Sequence, residues 1–188
     1  MPFDYKKEFK DFYLPPAKPH IVHIPKMQFV AVRGKGNPNE EDGEYKSALA
    51  LQYAIEYTIK MCKKGDYRIK GYQDFVVSPL EGFWWQEKNG APLPGFDYTD
   101  KSSFNWISVI RLPDFVTQKA FDWAKKSVTE KKGLDCSRAE LFTVEEGDYV
   151  QIMHIGSYDD EPATIKQMDS FALNNGWQLV FLNHKTSS

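Results

Sequence analysis

The chain has 188 residues, 41% hydrophobic and 27% charged, with a formal net charge of −2, which suits one domain with a sizeable core. Lys and Arg are scattered, so the basic footprint of a nucleic-acid binder is missing, and no apolar run reaches the roughly 18–20 residues of a membrane span. Two cysteines are too few for a disulfide framework, and the charged stretch Met1 to Lys10 lacks the apolar core of a secretory signal, so the expected location is cytoplasmic.

Residues 1–20 end in Leu14-Pro15-Pro16-Ala17-Lys18-Pro19-His20 and read as an extended N-terminal arm, because clustered prolines remove amide donors. The domain proper is expected over 21–188. Ile21 to Gly34 reads as a strand, stopped by Gly34-Lys35-Gly36-Asn37-Pro38. An acidic turn then precedes a long helix, in which Tyr45, Ala48, Leu49, Ile55, Ile59 and Cys62 recur at helical spacing and Gln52 is the one polar exception. Acidic residues open it, lysines close it and Gly65 is a plausible cap, as the helix dipole favours.

Tyr72 to Ser78, Glu81 to Gln86 and Phe104 to Leu112 each read as strands. Lys88 to Ser103, with Gly90, Pro92, Pro94 and Gly95, reads as a loop of functional size. A second helix is expected from Pro113-Asp114-Phe115 to about Lys132. Ala139 to Val144 and Tyr149 to Ile155 are expected to pair as a hairpin around Glu146-Gly147-Asp148. A third helix spans about Pro162 to Asn174, and Trp177 to Leu182 follows as a strand. The two halves, about 21–112 and 113–188, share the order strand, helix, strand, and the first adds a strand that the second is expected to lack.

Aromatic residues are the compositional outlier at 15%. They gather in Ser78-Pro79-Leu80-Glu81-Gly82-Phe83-Trp84-Trp85-Gln86. Alternation on a strand turns Glu81, Phe83 and Trp85 to one face and Gly82, Trp84 and Gln86 to the other. A carboxylate beside two large rings is costly in sealed core but suits a cleft, where indoles stack on a flat ligand and the carboxylate supplies charge or a proton. The alternative is an exposed Glu81 with both indoles partly packed.

On the next strand Phe104, Trp106, Ser108 and Ile110 share a face. Trp106 is either another cleft wall or ordinary core, and Arg111 is expected to pair with Asp114 at the helix start. In Met153-His154-Ile155-Gly156-Ser157-Tyr158-Asp159-Asp160-Glu161-Pro162, an aspartate caps the helix, His154 is a candidate base or proton shuttle, and Tyr158 a candidate cleft hydroxyl. Phosphate-cradling loops, zinc spacings and serine elbows are absent from the sequence, so no cofactor or metal is expected.

Three segments resemble a known family: Pro79-Leu80-Glu81-Gly82-Phe83-Trp84-Trp85, Ile110-Arg111-Leu112-Pro113-Asp114-Phe115-Val116-Thr117, and Met153 to Thr164. With the duplicated order of elements, they look like the GyrI-like domain, and within it the stand-alone branch that includes cyclopropanoid cyclohydrolases, over about Met27 to Asn183. The resemblance implies an α+β fold of two strand–helix–strand–strand repeats, packed as a pseudo-two-fold antiparallel sheet with helices on one side and a central cleft. It implies a planar aromatic ligand held by Phe83, Trp84, Trp85, Phe104, Trp106 and Met153, with Glu81, His154 and Tyr158 as catalytic candidates for water opening a strained cyclopropane, a detoxifying reaction. The family pattern of a glutamate followed two places on by tyrosine, on the last strand of the second half, has no match here. A non-catalytic drug-sequestering module or effector-binding co-regulator is the alternative, and homodimerisation is left open.

Overall fold

The computed structural model describes residues 1–93, 96–144, 147–157, 160–177 and 184–187. The elements run α1 (Tyr5–Glu8), α2 (Lys10–Tyr13), β1 (His20–His23), β2 (Met27–Lys35), α3 (Glu44–Met61), β3 (Leu80–Lys88), β4 (Ala91–Pro92), β5 (Phe104–Leu112), α4 (Gln118–Lys132), β6 (Glu140–Val144), β7 (Asp148–Gln151), α5 (Glu161–Asn174) and β8 (His184–Ser187). The fold is α+β with antiparallel pairing. The main sheet has the order β4-β3-β5-β2-β6, with β8 also on β3, and β1 pairs with β7 in a separate sheet. Strand β2, helix α3 and strands β3 and β5 form one strand–helix–strand–strand unit. Among the described residues no helix is long and apolar enough to cross a membrane.

The sheet separates two apolar layers. On one side Val30 and Val32 of β2 and Trp106, Ile110 and Leu112 of β5 meet Ala48, Leu51, Ile55 and Ile59 of α3 and Phe121, Ala124 and Val128 of α4. On the other side Met27, Phe29 and Ala31 gather with Phe83, Ile107 and Val109. Strand alternation produces this division, and each fully buried aliphatic or Phe side chain contributes about 1.5–3 kcal/mol. The polar exception on α3 is also explained. Gln52 is fully buried, and its Nε2 donates to the Val30 and Ser108 carbonyls at 3.0 and 2.7 Å while its Oε1 accepts from Ser108 Oγ at 2.7 Å. It ties the helix to the middle of the sheet.

Several expectations are corrected. The arm is not simply extended, because Asp4 caps α1 by accepting from the Lys6 and Lys7 amides and α2 follows directly. The strand expected from Ile21 to Gly34 breaks into β1 and β2 at Ile24-Pro25-Lys26, since a proline cannot donate to a ladder. The expected hairpin does not form. Strand β6 pairs with β2, and β7 pairs with β1.

Tyr72 to Ser78 carries only the bridge Phe3↔Phe75 and serves as a strap, tied to α3 by Tyr72 Oη donating to the Lys60 carbonyl at 2.6 Å and by Asp74 pairing with Lys60 and Lys63. Phe115 stands outside α4, which starts after the Thr117 cap and ends at Gly133 (φ 67°). The strand expected over Trp177 to Leu182 falls largely on residues outside those described. Strand β8 (His184–Ser187), which overlaps Lys185 to Ser188 where the missing strand is expected to begin, pairs antiparallel with β3, setting Ser187 opposite Glu81.

Candidate functional site

The face of the sheet turned away from α3 and α4 carries the candidate site. Strand β3 is held between β5 and β8, and its alternation sends Glu81, Phe83 and Trp85 to this face. Glu81 is 4% exposed, so the carboxylate lies within the protein. Phe83 is buried and meets the Phe142 ring edge-on, with centroids 6.3 Å apart. Trp85 packs against the same layer, half-buried, and its indole N–H donates to Glu87 at 2.8 Å.

Register adds Arg111. Glu81 stands opposite Val109 on β5, and Arg111 lies two residues further on the same face, roughly 7–8 Å away on the diagonal. Arg111 is 4% exposed. It does not pair with Asp114, which lies exposed beyond the end of the strand. Its guanidinium rests instead on the rings of Tyr5 and Phe9, at 4.3 and 4.9 Å from their centroids. Such contacts contribute roughly 0.5–2 kcal/mol and offset part of the cost of burying the charge.

The roof over this face is the N-terminal arm. Phe9 stacks on Phe12, 5.6 Å apart with an interplanar angle of 8°, and Phe12 packs against the Phe83 layer. The Phe12 carbonyl accepts from Gln151 Nε2 at 2.7 Å and the Pro16 carbonyl from the Met153 amide at 3.0 Å, anchoring the arm to β7 and the turn that follows.

Tyr13 is buried beneath the arm. Burial pushes its phenol well above the usual tyrosine range, the Glu81 charge adds to this, and Arg111 opposes it. Burial likewise raises Tyr5, again opposed by Arg111. Both phenols therefore keep their protons at neutral pH.

The remaining candidates lie elsewhere. Trp106, fully buried, faces the helices, pairing across the ladder with Trp84 and meeting Tyr45 edge-on at 5.0 Å. Trp84 contacts Tyr45 at 5.1 Å and Phe104 at 6.1 Å on that same side. The three indoles thus do not enclose one plane, because Trp84 and Trp106 stand behind the sheet from Glu81 and Trp85.

His154 is held locally, with Nδ1 2.8 Å from Thr164 Oγ1 and Nε2 2.8 Å from the Ser157 carbonyl. Both ring nitrogens are thus engaged in the turn leading to α5. Tyr158 lies outside the described residues. Sequence reasoning missed Tyr5, Phe9, Phe12 and Tyr13, although their spacing of three to four residues is a helical signal.

Residues 17–184 match the GyrI-like small molecule binding domain. Among solved structures, the chain is similar to a hydrolase from Listeria innocua, at 45% identity over 94% of this chain and 82% of that one, with a TM-score of 0.85. It is similar to a second hydrolase from the same organism at 41% identity, over 97% and 87% of the two chains, TM-score 0.84. A conserved protein from Listeria innocua described as uncharacterized aligns at 43% identity over 98% and 89%, TM-score 0.87. No curated protein matches.

Proposed function

We propose that this chain, which belongs to the GyrI-like small-molecule-binding domain family, receives a flat aromatic compound on the face of its sheet turned away from α3 and α4 and adds water to it. The observation that carries the reading is a carboxylate, Glu81, buried on the same face as Phe83 and Trp85. The similarity to Listeria innocua proteins described as hydrolases supports the reaction class.

The substrate class that suits this surface is a planar polycycle bearing a cyclopropane conjugated to a dienone. Phe83 and Trp85 bear on its plane. Glu81 takes a proton from water as the water oxygen bonds to the cyclopropane carbon. The ring C–C bond breaks, its electron pair passes through the dienone to the carbonyl oxygen, and the ring becomes aromatic. The phenolate then takes up the proton. Holding water and carbon in register and excluding competing nucleophiles accelerates such a step without a cofactor.

In this reading Met153 borders the far side of the site, where the turn after β7 meets the arm. Trp84, Phe104 and Trp106 back the binding wall from behind. A reactive alkylator is thereby spent on water, which is a protective role.

The test is incubation with a cyclopropanoid dienone, following the water adduct by mass against buffer. Many turnovers by the parent, with Glu81→Gln binding the compound but losing the rate, support the hydrolase. Binding without turnover by the parent moves the function to sequestration.

A further inference from the structure

We propose that Arg111 and Tyr13 form an oxyanion subsite on the Glu81 face of the sheet, which holds a carbonyl or phenolate oxygen at the edge of a planar ligand; this rests on the aromatic-cleft reading above. A guanidinium laid on aromatic rings engages them through its π face, and its N–H donors lie in its own plane, free to point elsewhere. The Arg111 guanidinium carbon stands over the rings of Tyr5 and Phe9. The buried Nε and Nη1 of Arg111 and the buried Tyr13 hydroxyl meet no well-aligned hydrogen-bond partner among the described residues, and Arg111 and Tyr13 lie near enough to share a hydrogen bond with each other.

The phenol lies close enough to Arg111 for the cation to act on its ionisation. Buried donors are nearly always satisfied in folded proteins, so neighbouring donors left open mark a place for an acceptor. What they fit is an oxygen carrying, or about to carry, negative charge. A hydrocarbon edge would leave the donors orphaned, and a cation would be repelled.

Placement ties the subsite to the chemistry. Glu81 and Arg111 stand on adjacent strands on one face, roughly 7–8 Å apart at the backbone diagonal, a span that a fused ring system bridges. A ligand with its oxygen at Arg111 and Tyr13 presents its opposite side to Glu81. Charge that leaves the breaking C–C bond arrives at the oxygen these donors hold, so they bind it more strongly as the reaction proceeds. Arg111 and Tyr13 would set both the orientation of the substrate and the preference for enones and phenols over plain aromatics.

The experiment uses the full chain with two fluorescent planar probes that carry no carbonyl, 6-cyano-2-naphthol above its ionisation and its methyl ether, each titrated to a Kd. The parent is expected to bind the naphtholate about tenfold more tightly, as a charge-assisted hydrogen bond supports. Tyr13→Phe and Arg111→Lys should each bring the two probes to within about twofold while leaving the methoxy probe unchanged. Should Arg111→Lys fail to fold, Tyr13→Phe, which keeps the buried ring, carries the test alone.

Equal binding of both probes by the parent, or a preference that survives in a folded variant, overturns the subsite and leaves the aromatic cleft standing. Failure of the parent to bind either probe overturns the cleft and the subsite together.

Discussion

Gly34→Ala tests the placement of Trp106 behind the sheet. Gly34 stands opposite Trp106 on the β2–β5 ladder. A Cβ added there would overlap Cζ2 and Cη2 of the indole and lie 2.9 Å from Cε2. The indole is fully buried and edge-on to Tyr45 at 5.0 Å, so it has no outward path. Overpacking a core costs about 1–3 kcal/mol, and overlap with rigid ring atoms puts this case near the upper end. Trp106→Phe removes the overlapping atoms and costs about 1–2 kcal/mol through the space it leaves. The double variant should therefore lose less than the sum of the two singles, by about 1–2 kcal/mol. Urea unfolding of the four proteins, compared at constant m, measures the cycle. Additive losses, or a Gly34→Ala protein within about 0.5 kcal/mol of the parent, would refute the seating of Trp106 on Gly34.

Other outcomes follow from the same structure. Glu56 on α3 is fully buried, both oxygens lack a hydrogen-bond partner among the described residues, and burial holds its pKa well above the usual carboxylate range against the opposing pull of Lys60. The folded state thus binds the proton more tightly. The stability this contributes is complete below the unfolded pKa of about 4.3 and is lost as pH rises through the folded pKa. Glu56→Gln should gain on the parent as urea midpoints are measured from pH 5 to pH 8, by up to about 1.4 kcal/mol per pH unit, and a constant difference would contradict this. Gln52→Leu should cost about 1–3 kcal/mol, because it strips the partner from the buried Ser108 hydroxyl and two strand carbonyls, while an exposed control such as Lys126→Ala should not. Trp85→Ala is expected to weaken binding of a planar ligand at least tenfold in protein that remains folded, whereas Trp84→Phe should lower stability and spare binding; the reverse would place the ligand on the helix side.

Much of the local structure is legible in the sequence because it depends on neighbours along the chain. Helix α3 follows from its apolar spacing, and even the polar intruder Gln52 is visible as an exception to it. The alternation in Leu80-Glu81-Gly82-Phe83-Trp84-Trp85 already divides that strand into a Glu81 face and a Trp84 face, and the structure keeps the division. Helix α4 ends at Lys132 as its sequence suggests, whereas its start falls after the Thr117 cap and not at Pro113.

Pairing and layering depend on contacts distant in sequence, and these were decided only in three dimensions. A turn between β6 and β7 permits a hairpin, but β6 finds the edge of β2 and β7 finds β1, and nothing within the turn ranks those edges. Arg111 next to Pro113-Asp114 suggests a local ion pair. The β3–β5 register instead carries Arg111 to the Glu81 face, where aromatic rings from residues 5 and 9 cover it. The arm's prolines describe its last residues, whereas its role as a roof is set by Phe12, Tyr13 and Pro16 meeting surfaces distant in the chain. The sequence determines which side chains share a face of a given strand or helix, because alternation and helical spacing are properties of the local backbone. The tertiary structure decides which faces oppose one another, because that choice is made by the burial of the whole chain at once.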